Sequence, residues 1–417
     1  MSYYLVRGGQ ALRGEVPISG AKNSVLPILA ATLLNGGRSL LHNCPDLRDV
    51  RSAIQILQHL GCKVSREGDT ILVDSSVVDR WDVPHELMRE MRSSVIFLGP
   101  ILARCGRVRL SLPGGCEIGQ RPIDLHLSSL RKLGVSIREQ GGDILCEARD
   151  LRGGDIILSF PSVGATENTI LTATACPGVT RLINAAREPE IADLQAFLRK
   201  TGALVQGGGE SVITVSGESP RNDVEHTILP DRIETATYLC AAAACGGEVT
   251  VTGAEPEHVG TVLQCLTEAG CRVRCAGRTI TLQAPRALGG MSPVRTMPYP
   301  GFPTDAQAPL MAAACTGQGT SLFIETIFEN RFRHASELAR MGADIRVSGR
   351  TALVTGRPLH GARVRSTDLR GGAALVVAGL AAEGESIVEG ITHIDRGYER
   401  LAEKLTALGA DIRRVEA

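Results

Sequence analysis

Six times along this 417-residue chain an amphipathic segment ends at a glycine and turns into a strand. The copies read LQHLGCKV, LRKLGVSI, LRKTGALV, LTEAGCRV, LARMGADI and LTALGADI, centred on Gly61, Gly134, Gly202, Gly270, Gly342 and Gly409. A second series, GRSLL, GRVRL, GVTRL, GEVTV, GTSLF and GESIV, opens at Gly37, Gly106, Gly178, Gly247, Gly319 and Gly384. A period of roughly 70 residues is too long for a common solenoid, so the spacing predicts six supersecondary units.

Each unit has the same order: apolar helix, glycine, short strand, loop, amphipathic helix, glycine, strand, turn, strand. The leading helices are PILAATLL, IFLGPILARC, ILTATAC, YLCAAAAC, PLMAAAC and ALVVAGLAAE. They carry almost no charge on any face, as helices buried on all sides should, and their alanines permit close packing. The second helices, such as ELARMG and LAEKLTALG, are amphipathic and belong nearer the surface. Glycine after each helix fits a left-handed cap. The fold class is therefore α/β, built from six βαβαββ-like units.

Single cores stop growing near 250–300 residues, so six units divide into two domains of three. The switch falls near Pro230-Asp231, after a connecting stretch at Pro220, Arg221 and Asn222. Each domain is expected to bury one bundle of three helices under outer sheets.

Lysine plus arginine and aspartate plus glutamate both number 45, and aromatics are 3%. That balance excludes a generally basic nucleic-acid binder, while a local cationic cleft stays open. The start, MSYYLVRGGQALRGEV, lacks the apolar core of a leader, and no run approaches 18 apolar residues, so a cytoplasmic chain without a membrane span is expected. Twelve cysteines show no CxxC or CxxC…HxxxH spacing, so no metal site is expected. Eleven of them are expected to be buried, reduced packing residues.

The twelfth, Cys116, stands in LPGGCEIGQRPIDLHL, where glycines make a loop and Arg121 follows. Nearby cations lower a thiol pKa, and such a group donates a proton or attacks an electrophile. Polar segments also precede every apolar helix: SGAKN (Lys22, Asn23), MRSS (Arg92), SVGATEN (Ser162 to Asn168), DRIET (Asp231 to Thr235), FPTDAQ (Thr304, Asp305) and DLRGG (Asp368, Arg370). Helix amino termini favour anions. If the three helices of each domain run parallel, two such faces opposed across a cleft would converge on an anionic ligand. Arg121, Arg187, Arg331 and Arg396 extend the pattern, and guanidinium forks pair phosphate or carboxylate. The bland alternatives are caps, a solvated lysine and surface ion pairs; for Asp305 the choice is between a base and an N-cap. No P-loop or dinucleotide fingerprint is present.

PISGAKNSVLPILAATLL, LPGGCEIGQRPIDLHL, SVGATEN, NAAREPEIADL, PDRIE, PYPGFPTDAQ, ETIFENRF and HIDRGYE together resemble the enolpyruvyl transferases, and among them the family acting on UDP-N-acetylglucosamine. The resemblance runs from about residue 7 to the end. It implies an inside-out α/β barrel with two pseudo-threefold domains, the amino-terminal strand crossing to the second. The expected domains are therefore 22–229, with the Cys116 loop, and 1–21 plus 230–417, with the active site between them.

The resemblance also implies a reaction and its residues. Enolpyruvyl passes from phosphoenolpyruvate to the 3-hydroxyl of UDP-N-acetylglucosamine, toward peptidoglycan, with no cofactor. Cys116 is the acid and Asp305 the base. Lys22, Arg121 and Arg396 hold phosphate, and Arg331 and Arg370 hold carboxylate. Asn23 and Asp305 meet the amino sugar, while Arg121, Pro122, Ile123, Asp124, Leu125, Ser162 and Val163 take the nucleotide. Arg92, Thr304, Ile327 and Asp368 complete the cleft. Phe160-Pro161 stands where some members carry a nucleotide-binding lysine, which puts one uridine contact in question. The alternatives are the sister enzyme using shikimate 3-phosphate, a non-catalytic sugar-nucleotide binder, and a nucleic-acid end-processing enzyme.

Overall fold

Six four-stranded sheets take up every strand among the described residues, one sheet for each unit read from the repeat. The computed structural model describes residues 2–91, 93–111, 123–218 and 220–416. One unit shows the pattern: strand Asp155–Ile157, helix Val163–Ala173, strand Val179–Ile183, helix Pro189–Lys200, then strands Leu204–Gln206 and Val212–Ser216. The first two strands pair in parallel across the helix, and the last returns antiparallel beside the second. Parallel pairing demands such a crossover.

The chain divides into two compact units at Ser19/Gly20 and Leu229/Pro230, one holding the described residues between Gly20 and Leu229 and the other the two flanks. Each contains three sheets. In the flanking unit, helices Arg232–Cys245, Thr304–Cys315 and Leu369–Ala381 pack against one another and are buried along nearly their whole length. In the central unit, helices Leu98–Cys105 and Val163–Ala173 touch too closely for a side chain at Gly99. A Cβ there would lie 2.7 Å from the Asn168 carbonyl oxygen. Any substitution must separate the helices.

The glycines after the amphipathic helices all take the left-handed conformation, with φ from 89° at Gly409 to 105° at Gly61. The second series differs at two places. Gly36 and Gly246, not Gly37 and Gly247, hold the positive φ there. In a glycine pair either member can make the turn, and the second is crowded: a Cβ on Gly247 would meet the Leu12 carbonyl oxygen at 1.8 Å.

Three strands leave their sequence neighbours. Tyr3–Arg7 lies antiparallel between Glu385–Glu389 and Asp411–Val415, completing the last sheet. Arg13–Pro17 pairs in parallel with Glu248–Thr252, although it leads into helix Lys22–Ala31. Val224–Thr227 leads into the Asp231-capped helix yet pairs with Arg38–His42. Each unit thus supplies the other's helix with its leading strand.

The eleven described cysteines are free, but not all are packing residues. Seven are buried, Cys105, Cys245 and Cys265 are half-buried, and Cys275 is exposed on strand Arg272–Ala276. Cys275 shares a face with the half-buried Val273 but lies nearer the strand's end, where the cover stops, which RVRCA alone does not reveal. Among the described residues no helix is long and apolar enough to cross a membrane.

Candidate active site

Asp305 is the second residue of helix Thr304–Cys315, whose cap position is Pro303. Its carboxylate meets two arginines. Oδ1 accepts from Arg331 Nη2 at 2.8 Å, and Oδ2 accepts from Arg370 Nε at 3.3 Å and Nη2 at 3.2 Å. The arginine side chains are 4% and 2% exposed, against 28% for Asp305. Arg370 lies over the Tyr398 ring at 5.2 Å and Arg331 over Phe328 at 5.6 Å. Arg331 Nε and Arg370 Nη1 are buried with no hydrogen-bond partner among the described residues. Leaving a buried charged donor unsatisfied costs more than about 1–3 kcal/mol, so these are groups suited to an anionic ligand.

His334, which opens helix His334–Arg340, belongs to the same neighbourhood. Burial pushes its imidazole down to about 4, against the pull of Asp368. A neutral ring avoids a third positive charge beside Arg331. Asp368 itself is a cap: Oδ1 accepts from the amides of Arg370 at 3.1 Å and Gly371 at 2.9 Å. Asp231 caps its helix in the same way, through Ile233 and Glu234. Arg396 is half-buried at the end of the short helix Ile391–Arg396. Thr304 and Ile327 both bind Glu325, a residue absent from the motif reasoning.

In the central unit Lys22 begins helix Lys22–Ala31. It is no solvated turn lysine, being 8% exposed with Nζ 2.8 Å from Oδ2 of the fully buried Asp49. Asn23 follows it, half-buried. Ser162 caps helix Val163–Ala173 by accepting from Ala165 N at 3.4 Å. Ile123 precedes helix Asp124–Lys132, which carries Asp124 and Leu125. Burial holds His126 on that helix at about 4, so its neutral Nδ1 accepts from Asn168 Nδ2 at 2.9 Å. Asn168 Oδ1 accepts in turn from Gly99 N at 2.7 Å, tying three helices together. Arg187 is exposed. Arg92, Cys116, Arg121 and Pro122 lie outside the described residues.

Asp305, Arg331 and Arg370 are thus brought together, with Thr304 and Asp368 beside them, while Lys22 and Asn23 belong to the other unit. Asp49, Glu325, His334 and Tyr398 went unread in the sequence. Glu325 opens the string ETIFENRF, at the end of an apolar strand, which was its one visible signal.

Glu167, four residues into the Val163 helix, gives a stability prediction. Burial, then Glu190 and Glu188, raise its carboxyl well above 4.5. The folded chain keeps a proton that the unfolded chain gives up, so stability is full below about 4.5 and falls as pH rises toward the folded value. The slope approaches about 1.4 kcal/mol per pH unit, roughly 3–5 °C for a domain of this size. Unfolding midpoints of Glu167→Gln and the parent should therefore diverge between about pH 5 and 7, the parent losing ground. A constant difference would refute the assignment.

Comparison with known proteins gives the lineage. A family model described as EPSP synthase (3-phosphoshikimate 1-carboxyvinyltransferase) matches residues 6–405. The UDP-N-acetylglucosamine 1-carboxyvinyltransferase 2 of Caldanaerobacter subterraneus subsp. tengcongensis is 50% identical over 416 residues, the whole of both chains. The UDP-N-acetylglucosamine 1-carboxyvinyltransferase 1 of Symbiobacterium thermophilum is 54% identical over 419 residues, 99% of this chain and 95% of its own. The chain belongs to the enolpyruvyl transferase family. Among solved structures, the enolpyruvyl transferase NikO from Streptomyces tendae superposes with a TM-score of 0.90 at 28% identity, over 100% of this chain and 99% of NikO. An EPSP synthase from Acinetobacter baumannii gives 0.73 at 17% identity, a likeness of fold alone. The six-unit α/β architecture is that of the enolpyruvyl transferases, as the repeat and the resemblance led one to expect.

Proposed function

We propose that this enolpyruvyl transferase acts on phosphoenolpyruvate and UDP-N-acetylglucosamine, releasing phosphate, as the first committed step of peptidoglycan precursor synthesis in the cytoplasm. The observation that carries the chemistry is the Asp305 carboxylate set between two buried arginines, each with a donor that has no partner among the described residues. The full-length relatives carry the choice of acceptor.

In this mechanism the carboxylate of phosphoenolpyruvate replaces Asp305 as partner of Arg331 and Arg370. The freed Asp305 takes the proton of the sugar 3-hydroxyl as that oxygen bonds to C2. Cys116 delivers a proton to C3, so the double-bond electrons end in the new C–H bond and a tetrahedral ketal forms. Removal of a C3 proton then restores the double bond while the C2–O bond breaks, and phosphate leaves with that electron pair. Lys22, Arg121 and Arg396 stabilise the phosphate charge. Asn23 and Asp305 meet the amino sugar. Arg121 through Leu125, with Ser162 and Val163, hold the nucleotide, and Arg92, Thr304, Ile327 and Asp368 complete the site.

Phosphate release from phosphoenolpyruvate should require UDP-N-acetylglucosamine, followed by a phosphate assay with each acceptor in turn. Release driven by shikimate 3-phosphate instead would assign the chain to the sister activity.

A further inference from the structure

Glu325 follows strand Thr320–Ile324 and is 1% exposed. Its carboxylate receives four donors from two separate segments. From the segment leading into the Asp305 helix and from the helix's first residue come Thr296 Oγ1 to Oε1 and Thr304 Oγ1 to Oε2, each at 2.9 Å. From the loop after the strand come the amides of Ile327 at 2.8 Å and Phe328 at 3.1 Å, both to Oε1. A carboxylate is acceptor-only and takes about four such bonds, so most of the capacity of the buried Glu325 is taken by the protein's own donors.

What those four bonds fix is the frame around Asp305. Thr304 is the first residue of the helix and Asp305 the second. The Ile327–Phe328 loop leads to Arg331, whose Nη2 returns to Thr304 O at 3.4 Å and Asp305 Oδ1 at 2.8 Å. The path from Glu325 through the loop to Arg331, and the path through Thr304, close on the same carboxylate.

We infer that Glu325 is a positioning residue for enolpyruvyl transfer, setting the placement of Asp305 and Arg331 by clamping the Thr304 helix start to the Ile327–Phe328 loop. This rests on the proposed role of Asp305 as base. A misplacement of about 1 Å can cost on the order of 10²-fold in rate. Glu325→Asp shortens the side chain by one methylene, so it cannot reach both segments. Glu325→Gln keeps the reach and an oxygen for the two amides, and the Thr304 hydroxyl can rotate to accept from the new NH₂.

Steady-state kinetics with phosphoenolpyruvate and UDP-N-acetylglucosamine, alongside unfolding midpoints, test the inference. Glu325→Asp should lose roughly 10²-fold in kcat with a raised KM for the sugar nucleotide. Glu325→Gln should stay within about tenfold of the parent. A folded Asp variant with parental kcat and KM overturns the inference, as does a Gln variant as slow as the Asp variant. If Glu325→Asp does not fold, Thr296→Val against Thr296→Ser carries the test, since Thr296 lies outside the proposed substrate contacts. The valine enzyme should be slowed and the serine enzyme not, and equal rates overturn the inference. Asp305→Asn, run in parallel, separates the two layers. If it is slow while Glu325→Asp is not, only the positioning role falls; if Asp305→Asn keeps the parental rate, the base assignment falls and the route through Glu325 with it.

Discussion

An Asp305→Ala enzyme is expected to lose on the order of 10²–10⁴ in kcat, the usual worth of a positioned acid or base. It should also unfold at a lower temperature. The carboxylate stands 2.8 Å from Arg331 and 3.2 Å from Arg370, and both guanidiniums are buried. Removing it leaves two buried cations without that counter-charge, at a cost of about 3 kcal/mol or more. For a domain of this size that is a drop of roughly 6 °C or more. Asp305→Asn keeps shape and an acceptor oxygen, so it should recover part of the stability but not the rate. Phosphate release measured beside thermal unfolding separates the two effects. Parental turnover in Asp305→Ala would remove this residue from the proton transfer.

That double role explains how far the sequence could be read. Lys22, Asp305, Arg331 and Arg370 were visible because charge is conspicuous against alanine-rich helices buried on all sides. Six units were visible because glycines that must turn left-handed after a helix recur at a fixed interval. What holds those charges was not visible. Asp49 and Glu325 are ordinary acidic residues in their local strings, and only the packed structure brings Asp49 to Lys22 and Glu325 to Thr304. Asp368 has an evident position at a helix start, but two hydrogen bonds with amides show its oxygen in use as a cap.

Only the crossing of the amino-terminal strand was expected, and from family resemblance alone; the pairing of Val224–Thr227 with Arg38–His42 was not foreseen. Tyr3–Arg7 and Arg13–Pro17 are five residues each, and local alternation says which face is buried, not which partner is chosen. Their partners stand hundreds of positions away, at Glu385–Glu389 and Glu248–Thr252. The same limit applies to Cys275, whose exposure follows from its hairpin and not from its neighbours in sequence.

Cys116→Ala should lose about 10²–10⁴ in kcat near neutral pH, because it removes the acid assigned to C3. The remaining thiols are poor substitutes. Burial pushes Cys44, Cys62, Cys146, Cys271 and Cys315 up to about 12, and Cys265 to about 11. Cys275 is exposed but belongs to an outer hairpin strand, so Cys275→Ala should leave turnover unchanged and serve as the control for thiol-specific inactivation. An alkylating reagent should therefore inactivate the parent and Cys275→Ala alike. Cys116→Asp gives the sharper result. It replaces a thiol of ordinary pKa about 8.5 by a carboxyl of about 3.9, so an acid remains but is protonated only at lower pH. Its rate should rise as pH falls through the range where the parent is flat, whereas Cys116→Ala should be slow throughout. Parental rates in Cys116→Ala, or identical pH profiles for Cys116→Asp and the parent, would take the thiol out of the mechanism.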